Sequence, residues 1–321
     1  MARIKPKGRD VVYHCVSRIV GGEFLLENLE KEKFRKMMWA QAEFCGVDVV
    51  SYCLMSNHVH LLIRVPSEIC PSDREIMGRY SKFYGAKHPV TKRLVALFDS
   101  GEGLSDDIRD RLLFRMGDIS VFNKELKQRF SAWYNRQQGR FGTLWAERFR
   151  STIVEGCAET LMLVSAYIDL NPVRAGMVKD PKDYRYCGYA EALAGGKRIQ
   201  NGIMSFLPSG SWSTVSSRYR EYLFVKGGHS ASTDRMTLDR ELILEEIKNG
   251  AILKPVQLLR LRIRYISDGV VLGSTNYVNE LYSEFRNRFG KTRETGARPM
   301  ALGLRPFNLK SLRDLRRKPF G

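Results

Sequence analysis

The stretch Met55-Ser56-Asn57-His58-Val59-His60-Leu61-Leu62-Ile63 decides how the chain is read. Two histidines stand two residues apart, with Val59, Leu61, Ile63 and Val65 at the odd positions around them. An extended strand repeats every two residues, so His58, His60, Leu62 and Arg64 share one face. The aliphatic odd face is expected to pack on helices. The histidine face is expected to be the open side of a sheet, with the two imidazoles a few ångströms apart. Two polar residues on a half-buried strand can simply face solvent. The whole chain has only 5 histidines, however, and placing two of them together favours a metal site.

Reading outward from this strand, Val11 to Ile19 is rich in β-formers, and Gly21-Gly22 breaks it. His14, on that first strand, reads as structural. A helix is expected from about Glu27 to Phe44, closed by Gly46, and then a strand from Val47 to Leu54 that pairs with the histidine strand through Ser56-Asn57. Residues 66–116 read as a mostly helical insertion. Asp118 to Gln138 is a long helix with Ile119, Phe122, Leu126, Phe130 and Trp133 on its apolar face. A fourth strand leads to Glu155, and a helix follows from 158 to 170, ended by Asn171-Pro172 because the residue before proline avoids the helical region. The order βαββαβα describes an α+β, ferredoxin-like sandwich with a four-stranded antiparallel sheet and helices on one face.

At 321 residues the chain has room for additions to such a domain. The expected organisation is a catalytic domain at 1–190, a connecting segment at 191–234, a helical region at 235–290 and a flexible basic tail at 291–321. Ser274 is the expected N-cap of a helix running to Phe289. From Arg288 onward, ten Lys and Arg face only Glu294 and Asp314.

Lys and Arg total 53 against 35 Asp and Glu, a net charge of +18, which points to a polyanionic partner, most often nucleic acid. No run of 18 apolar residues exists and the N-terminus lacks an apolar signal core, so no membrane association is expected. The expected location is the cytoplasm. The 6 cysteines show no zinc-like spacing. Arg140, Arg148 and Arg150, interleaved with Phe141, Trp145 and Phe149, have the composition to hold phosphates and stack bases, or equally to form a solvated strand edge. Tyr167 and Asn171 lie four apart on the last helix, hence on one side of it. Alone, Tyr167 would be an ordinary buried tyrosine and Asn171 a helix cap.

Four blocks carry a resemblance to the Y1-type tyrosine transposases of the HUH superfamily, the IS200-like enzymes, and within them to the REP-associated branch. These are Tyr13-His14-Cys15-Val16-Ser17-Arg18, Met55 to Leu62, Leu144-Trp145-Ala146-Glu147-Arg148-Phe149-Arg150-Ser151, and Tyr167-Ile168-Asp169-Leu170-Asn171-Pro172-Val173-Arg174-Ala175-Gly176. The resemblance covers roughly residues 10–180, interrupted at 66–116. It implies a metal-dependent endonuclease and strand transferase acting on single-stranded or hairpin, palindromic DNA through a 5′-phosphotyrosine. Tyr167 matches the nucleophile. A phenol of pKa ~10 is scarcely ionised at neutral pH, and a divalent cation, Mg²⁺ or Mn²⁺, on His58 and His60 would assist it. Asn171 stands where the family often has glutamine as a third ligand. Arg140, Trp145, Arg148, Phe149, Arg150 and Arg174 are the expected DNA contacts. The sequence leaves open monomer or homodimer, and whether the tyrosine acts beside its own histidines or a partner's. The rival from another class is a non-catalytic nucleic-acid-binding or DNA-organising protein on the same fold.

Overall fold

The computed structural model describes residues 3–101, 103–207, 210–224, 258–259, 261–300, 308–315 and 317–320. It begins with strand β1 (Val11–Arg18), helix α1 (Asn28–Cys45) and the hairpin β2 (Asp48–Leu54) and β3 (His58–Val65). α1 opens with a capping box between Glu27 and Glu30, and it closes on Gly46 at φ 65°, a left-handed conformation that glycine adopts without strain. Three helices occupy the 66–116 stretch: α2 (Asp73–Tyr84), α3 (Pro89–Asp99) and α4 (Asp106–Leu113). α5 (Ile119–Gln137) is capped by Asp118, whose carboxylate accepts from the amides of Ser120 and Val121. Then come β4 (Arg150–Val154), α6 (Ala158–Asp169) and the single turn α7 (Asn171–Arg174).

α8 (Gly188–Leu193) straddles the start of the stretch expected to be a connection, and α9 (Lys197–Met204) and α10 (Trp212–Phe224) lie within it. Most of the first half of the helical region expected at 235–290 lies outside the described residues, which resume at 258. Further on stand α11 (Arg264–Asp268), β5 (Val271–Gly273), α12 (Thr275–Glu284), β6 (Arg298–Pro299) and β7 (Lys310–Ser311). Ser274 does cap α12, its hydroxyl accepting from the Tyr277 amide. No described helix is long and apolar enough to cross a membrane.

The first four strands lie in the order β2-β3-β1-β4, all antiparallel. Two expectations need correcting here. The sheet is not four-stranded: β4 pairs in parallel with β5, and β7 and β6 continue it to seven strands of mixed direction. The tail beyond residue 290 is therefore not simply flexible, since residues 298–299 and 310–311 are built into the sheet.

The histidine face is not open either. In the β1–β3 register His14 lies opposite Leu62, Val16 opposite His60 and Arg18 opposite His58, so these side chains share one side. α6 and α11 lie across that side: Tyr167 of α6 packs edge-on to the rings of His14 and His60, and Ile266 of α11 meets His14. The opposite side packs on α1 and α5 as expected, where Phe34 and Phe130 meet edge to face and Asn123 reaches Cys15. Each fully buried phenylalanine there contributes about 2–3 kcal/mol of apolar burial. With both faces covered, the polar groups on the histidine side need partners, and those partners define the site.

Candidate active site

A cleft of about 610 Å³ opens at the end of β1 and β3. His58, His60, Tyr167, Asn171, Arg174, Arg18 and Arg262 are among its lining residues. The structure thus brings together the four residues expected to carry the chemistry, although they stand up to 113 positions apart (171 − 58).

β3 aims both imidazoles at the cleft, with ring centroids 5.0 Å apart. Both are held neutral. Burial pushes His58 down to about 4, helped by the nearby charges of Arg18, Arg174 and Arg262. Burial also lowers His60 well below its ordinary value, with His58 and His14 adding to the effect. His58 Nδ1 lies 2.6 Å from Asn57 Oδ1, while Asn57 Nδ2 donates to the Gly22 carbonyl at 3.3 Å. That second bond fixes the amide orientation, so His58 Nδ1 carries the hydrogen and its Nε2 keeps a lone pair. His60 Nδ1 lies 2.9 Å from His14 Nε2, and His14 Nδ1 lies 2.9 Å from the Ile266 carbonyl.

Tyr167 is 1% exposed, yet it lines the cleft and its hydroxyl has no hydrogen-bond partner among the described residues. Arg174 sits 4.1 Å over its ring and donates to the carbonyls of Tyr167 and Leu259, both at 2.6 Å. Arg174 therefore holds the tyrosine's helix end against residue 259. Asn171 differs from its expected place as a helix terminus. It is the first residue of α7, and Pro172 is accepted there because the first turn of a helix needs no donor from it. Its Nδ2 donates to the carbonyls of Tyr167 and Ile168, at 3.2 and 3.0 Å, leaving Oδ1 without a partner among the described residues.

Two imidazoles whose Nε2 atoms have no partner among the described residues, together with one amide oxygen, form a donor set that fits a divalent ion. Among the described residues, no three His, Cys, Asp or Glu side chains converge as a metal-holding group, so any such ion would rest on this weaker set. Other candidate third ligands are engaged elsewhere. Asp169 accepts from Tyr219 Oη at 2.7 Å and from the Tyr189 amide at 3.1 Å, and burial raises its pKa to about 7. Glu155 accepts from the amide and hydroxyl of Ser274, at 2.6 and 2.8 Å. Glu147 does line the cleft, paired with Arg150.

The expected DNA contacts separate into two groups. Arg150 stands by the cleft, bonded to Glu147 and, at 3.2 Å, to Asp268. Arg148 is exposed on a neighbouring groove, and Arg140 is half-buried outside the cleft lining. Trp145 and Phe149 are each only 7% exposed. The indole packs against Phe34 and Phe130 and donates to the Lys127 carbonyl, and Arg3 covers the Phe149 ring at 3.5 Å. In this arrangement neither ring offers a face to a base.

Sequence reasoning missed a second group altogether. Asp268, 4% exposed, is ringed by Arg264 at 3.1 Å, Arg150 at 3.2 Å, Arg262 at 3.3 Å and Arg18 at 3.9 Å. Burial alone would raise the Asp268 pKa, but the Arg264 hydrogen bond and the charges of Arg262, Arg150 and Arg18 carry it below its ordinary value. Four guanidiniums around one carboxylate leave the cleft mouth strongly positive, a field suited to phosphates. Only the density of arginines in Arg260-Leu261-Arg262-Ile263-Arg264 hinted at it in the sequence.

A sheet with paired histidines beneath a helix-borne tyrosine, in a cleft rimmed by arginine, has the makeup of a site for phosphodiester chemistry. Residues 8–98 match the model of the family described as "Transposase IS200 like", the family that the four sequence blocks resemble. The match runs through β1, the histidine strand and on into α3, so it includes most of the stretch read as an insertion. Among solved structures, the chain is similar to a REP-associated tyrosine transposase bound to a REP hairpin. That similarity has 14% identity and a TM-score of 0.40, and covers 61% of this chain and 86% of that one. No curated protein matches the chain.

Proposed function

We propose that the protein is a tyrosine transposase that nicks and rejoins single-stranded DNA carrying a hairpin or palindrome. The observation that carries this reading is the convergence of Tyr167, His58, His60 and Asn171 on one arginine-rimmed cleft. Tyr167 Oη attacks the scissile phosphorus, the bond to the 3′ oxygen breaks, and the strand is left with a free 3′-OH. The phenol proton is lost and the departing oxygen gains one, so a phosphodiester replaces a phosphodiester. The 5′ end stays on Tyr167 as a phosphotyrosine, and joining needs no external energy source. Bound at His58, His60 and Asn171, Mg²⁺ or Mn²⁺ would supply a Lewis acid to the scissile phosphate. The chain's own contribution is orientation and charge. Arg174 holds the tyrosine ring and its helix end, while Arg18, Arg150 and Arg262 at the mouth offer donors to backbone phosphates. Hairpin-bearing DNA is proposed as the substrate because the four sequence blocks resemble a family that acts on it, while the family match over residues 8–98 supports the transposase reading alone.

The rival non-catalytic reading needs exposed aromatic rings on the central strands. Tyr13 is the single aromatic ring of β1 and β3 besides the histidines, and it is buried. The test is incubation of the protein with hairpin-bearing single strands and Mg²⁺ or Mn²⁺, followed by denaturing electrophoresis. The parent should give a denaturant-resistant adduct and Tyr167→Phe none, with DNA binding kept. Cleavage by the Phe variant at the parent's rate overturns the assignment.

A further inference from the structure

We infer that His14 is a positioning residue that sets the tautomer of His60, and that the Ile266 carbonyl sets His14 in turn. The inference rests on the proposed function only in giving His60 a ligand's role. The three groups form a chain of two contacts, each 2.9 Å, running from the carbonyl of α11 through β1 to β3. A carbonyl oxygen can only accept, so the hydrogen on His14 must be at Nδ1. His14 is 1% exposed, and a second hydrogen would put a charge in that buried place, so its Nε2 carries none and can only accept. His60 must then donate from Nδ1, which leaves its lone pair on Nε2. Each alternative places two lone pairs against each other at 2.9 Å in a buried site: His14 Nδ1 against the carbonyl, or His14 Nε2 against His60 Nδ1.

His58 reaches the same state through a separate arrangement, its Nδ1 held by Asn57. Both imidazoles thereby present Nε2, the matched pair that a shared cation or a phosphate-bound group requires. The carbonyl that starts the chain belongs to residue 266, far beyond the segment that matches the transposase family model. The C-terminal region thus takes part in preparing the histidine site.

The test uses the full chain, metal-free, with labelled histidine and long-range ¹H–¹⁵N NMR at neutral pH. The parent should show His14 and His60 both protonated at Nδ1 and bare at Nε2. His14→Phe, close in size but unable to accept, should release His60 to its Nε2–H form. It should also lower Mn²⁺ affinity, followed by EPR titration, about 10- to 100-fold. His14→Gln offers an amide oxygen to His60 Nδ1 and should restore the tautomer and most of the affinity. The inference is overturned by an Nε2–H His60 in the parent, or by unchanged tautomer or Mn²⁺ affinity in a folded His14→Phe. If that variant does not fold, the parent spectrum decides alone. A parent that shows the expected tautomers but binds no Mn²⁺ keeps this inference and removes the metal from the proposed function.

Discussion

The two ends of the one sheet are built differently and do different work. β1 and β3 are eight-residue strands with long register, whereas β5 has three residues and β6 and β7 two each. β3, α6 and the turn α7 carry every group proposed to take part in the chemistry: His58 and His60, Tyr167, and Asn171. The short strands carry none. Their neighbourhood supplies what surrounds the reacting groups instead, through the Ile266 carbonyl behind His14 and the Asp268 carboxylate that gathers four arginines. The lesson is a division between groups that react and groups that orient and polarise them, with the His14–His60 contact joining the two.

The largest expected effect comes from the reacting half. His58→Ala or His60→Ala removes one of two imidazole donors, so cleavage of hairpin-bearing single strands should fall at least about 100-fold, since the charge stabilisation that the proposed metal ion would supply is worth several kcal/mol. Binding of the same DNA, measured by fluorescence anisotropy, should change little. Equal loss of binding and cleavage would blur the division.

Next comes the orienting half. Asp268→Ala leaves four guanidiniums facing one another without their carboxylate. Chemical denaturation should show a loss of about 2 kcal/mol, below the usual cost of breaking a buried pair because the arginines are partly exposed. No loss would mean that Asp268 does not organise this wall.

The acid response joins the two halves. Burial lowers the His14 pKa to about 4, whereas an unfolded histidine titrates near 6.5. Between these values the unfolded chain takes up a proton that the folded chain refuses. The contribution is therefore full above about 6.5 and is lost as pH falls through about 4, amounting to about 3 kcal/mol. His14→Gln should flatten that part of the metal-free stability profile. A profile of unchanged slope would contradict the neutral, buried state of His14.

The smallest effect concerns one phosphate. Arg262→Gln should reduce the slope of log binding constant against log salt for single-stranded DNA by about 0.7. An unchanged slope would remove Arg262 from the DNA path.

What could be read in the sequence follows the same division. Strands of seven or eight residues and helices of 18 or 19 repeat their pattern often enough to be seen, so β1, α1, β2, β3 and α5 stand within a residue or two of where alternation places them. Two- and three-residue strands have no period, so β5, β6 and β7 left no trace and the tail read as flexible. The polarity of the histidine face suggested solvent. It instead reflects partners brought by α6 and α11, over distances no local pattern carries. His14 read as structural for the same reason: one of its contacts is 46 residues away and the other 252. Tyr167 and Asn171 were visible because they share one short motif, whereas the arginine wall depends on residues from β1, β4 and α11 meeting at one aspartate.

The central claim is that Tyr167 is the residue joined to DNA, and the most direct measurement is to locate the bond. The adduct formed with a hairpin-bearing single strand is trimmed with nuclease, digested with protease and sequenced by tandem mass spectrometry. The account predicts a nucleotide joined through its 5′ phosphate to the peptide holding Tyr167, and to none of the other peptides that carry the chain's 14 tyrosines. A nucleotide on any other residue, or one joined through its 3′ phosphate, would contradict it.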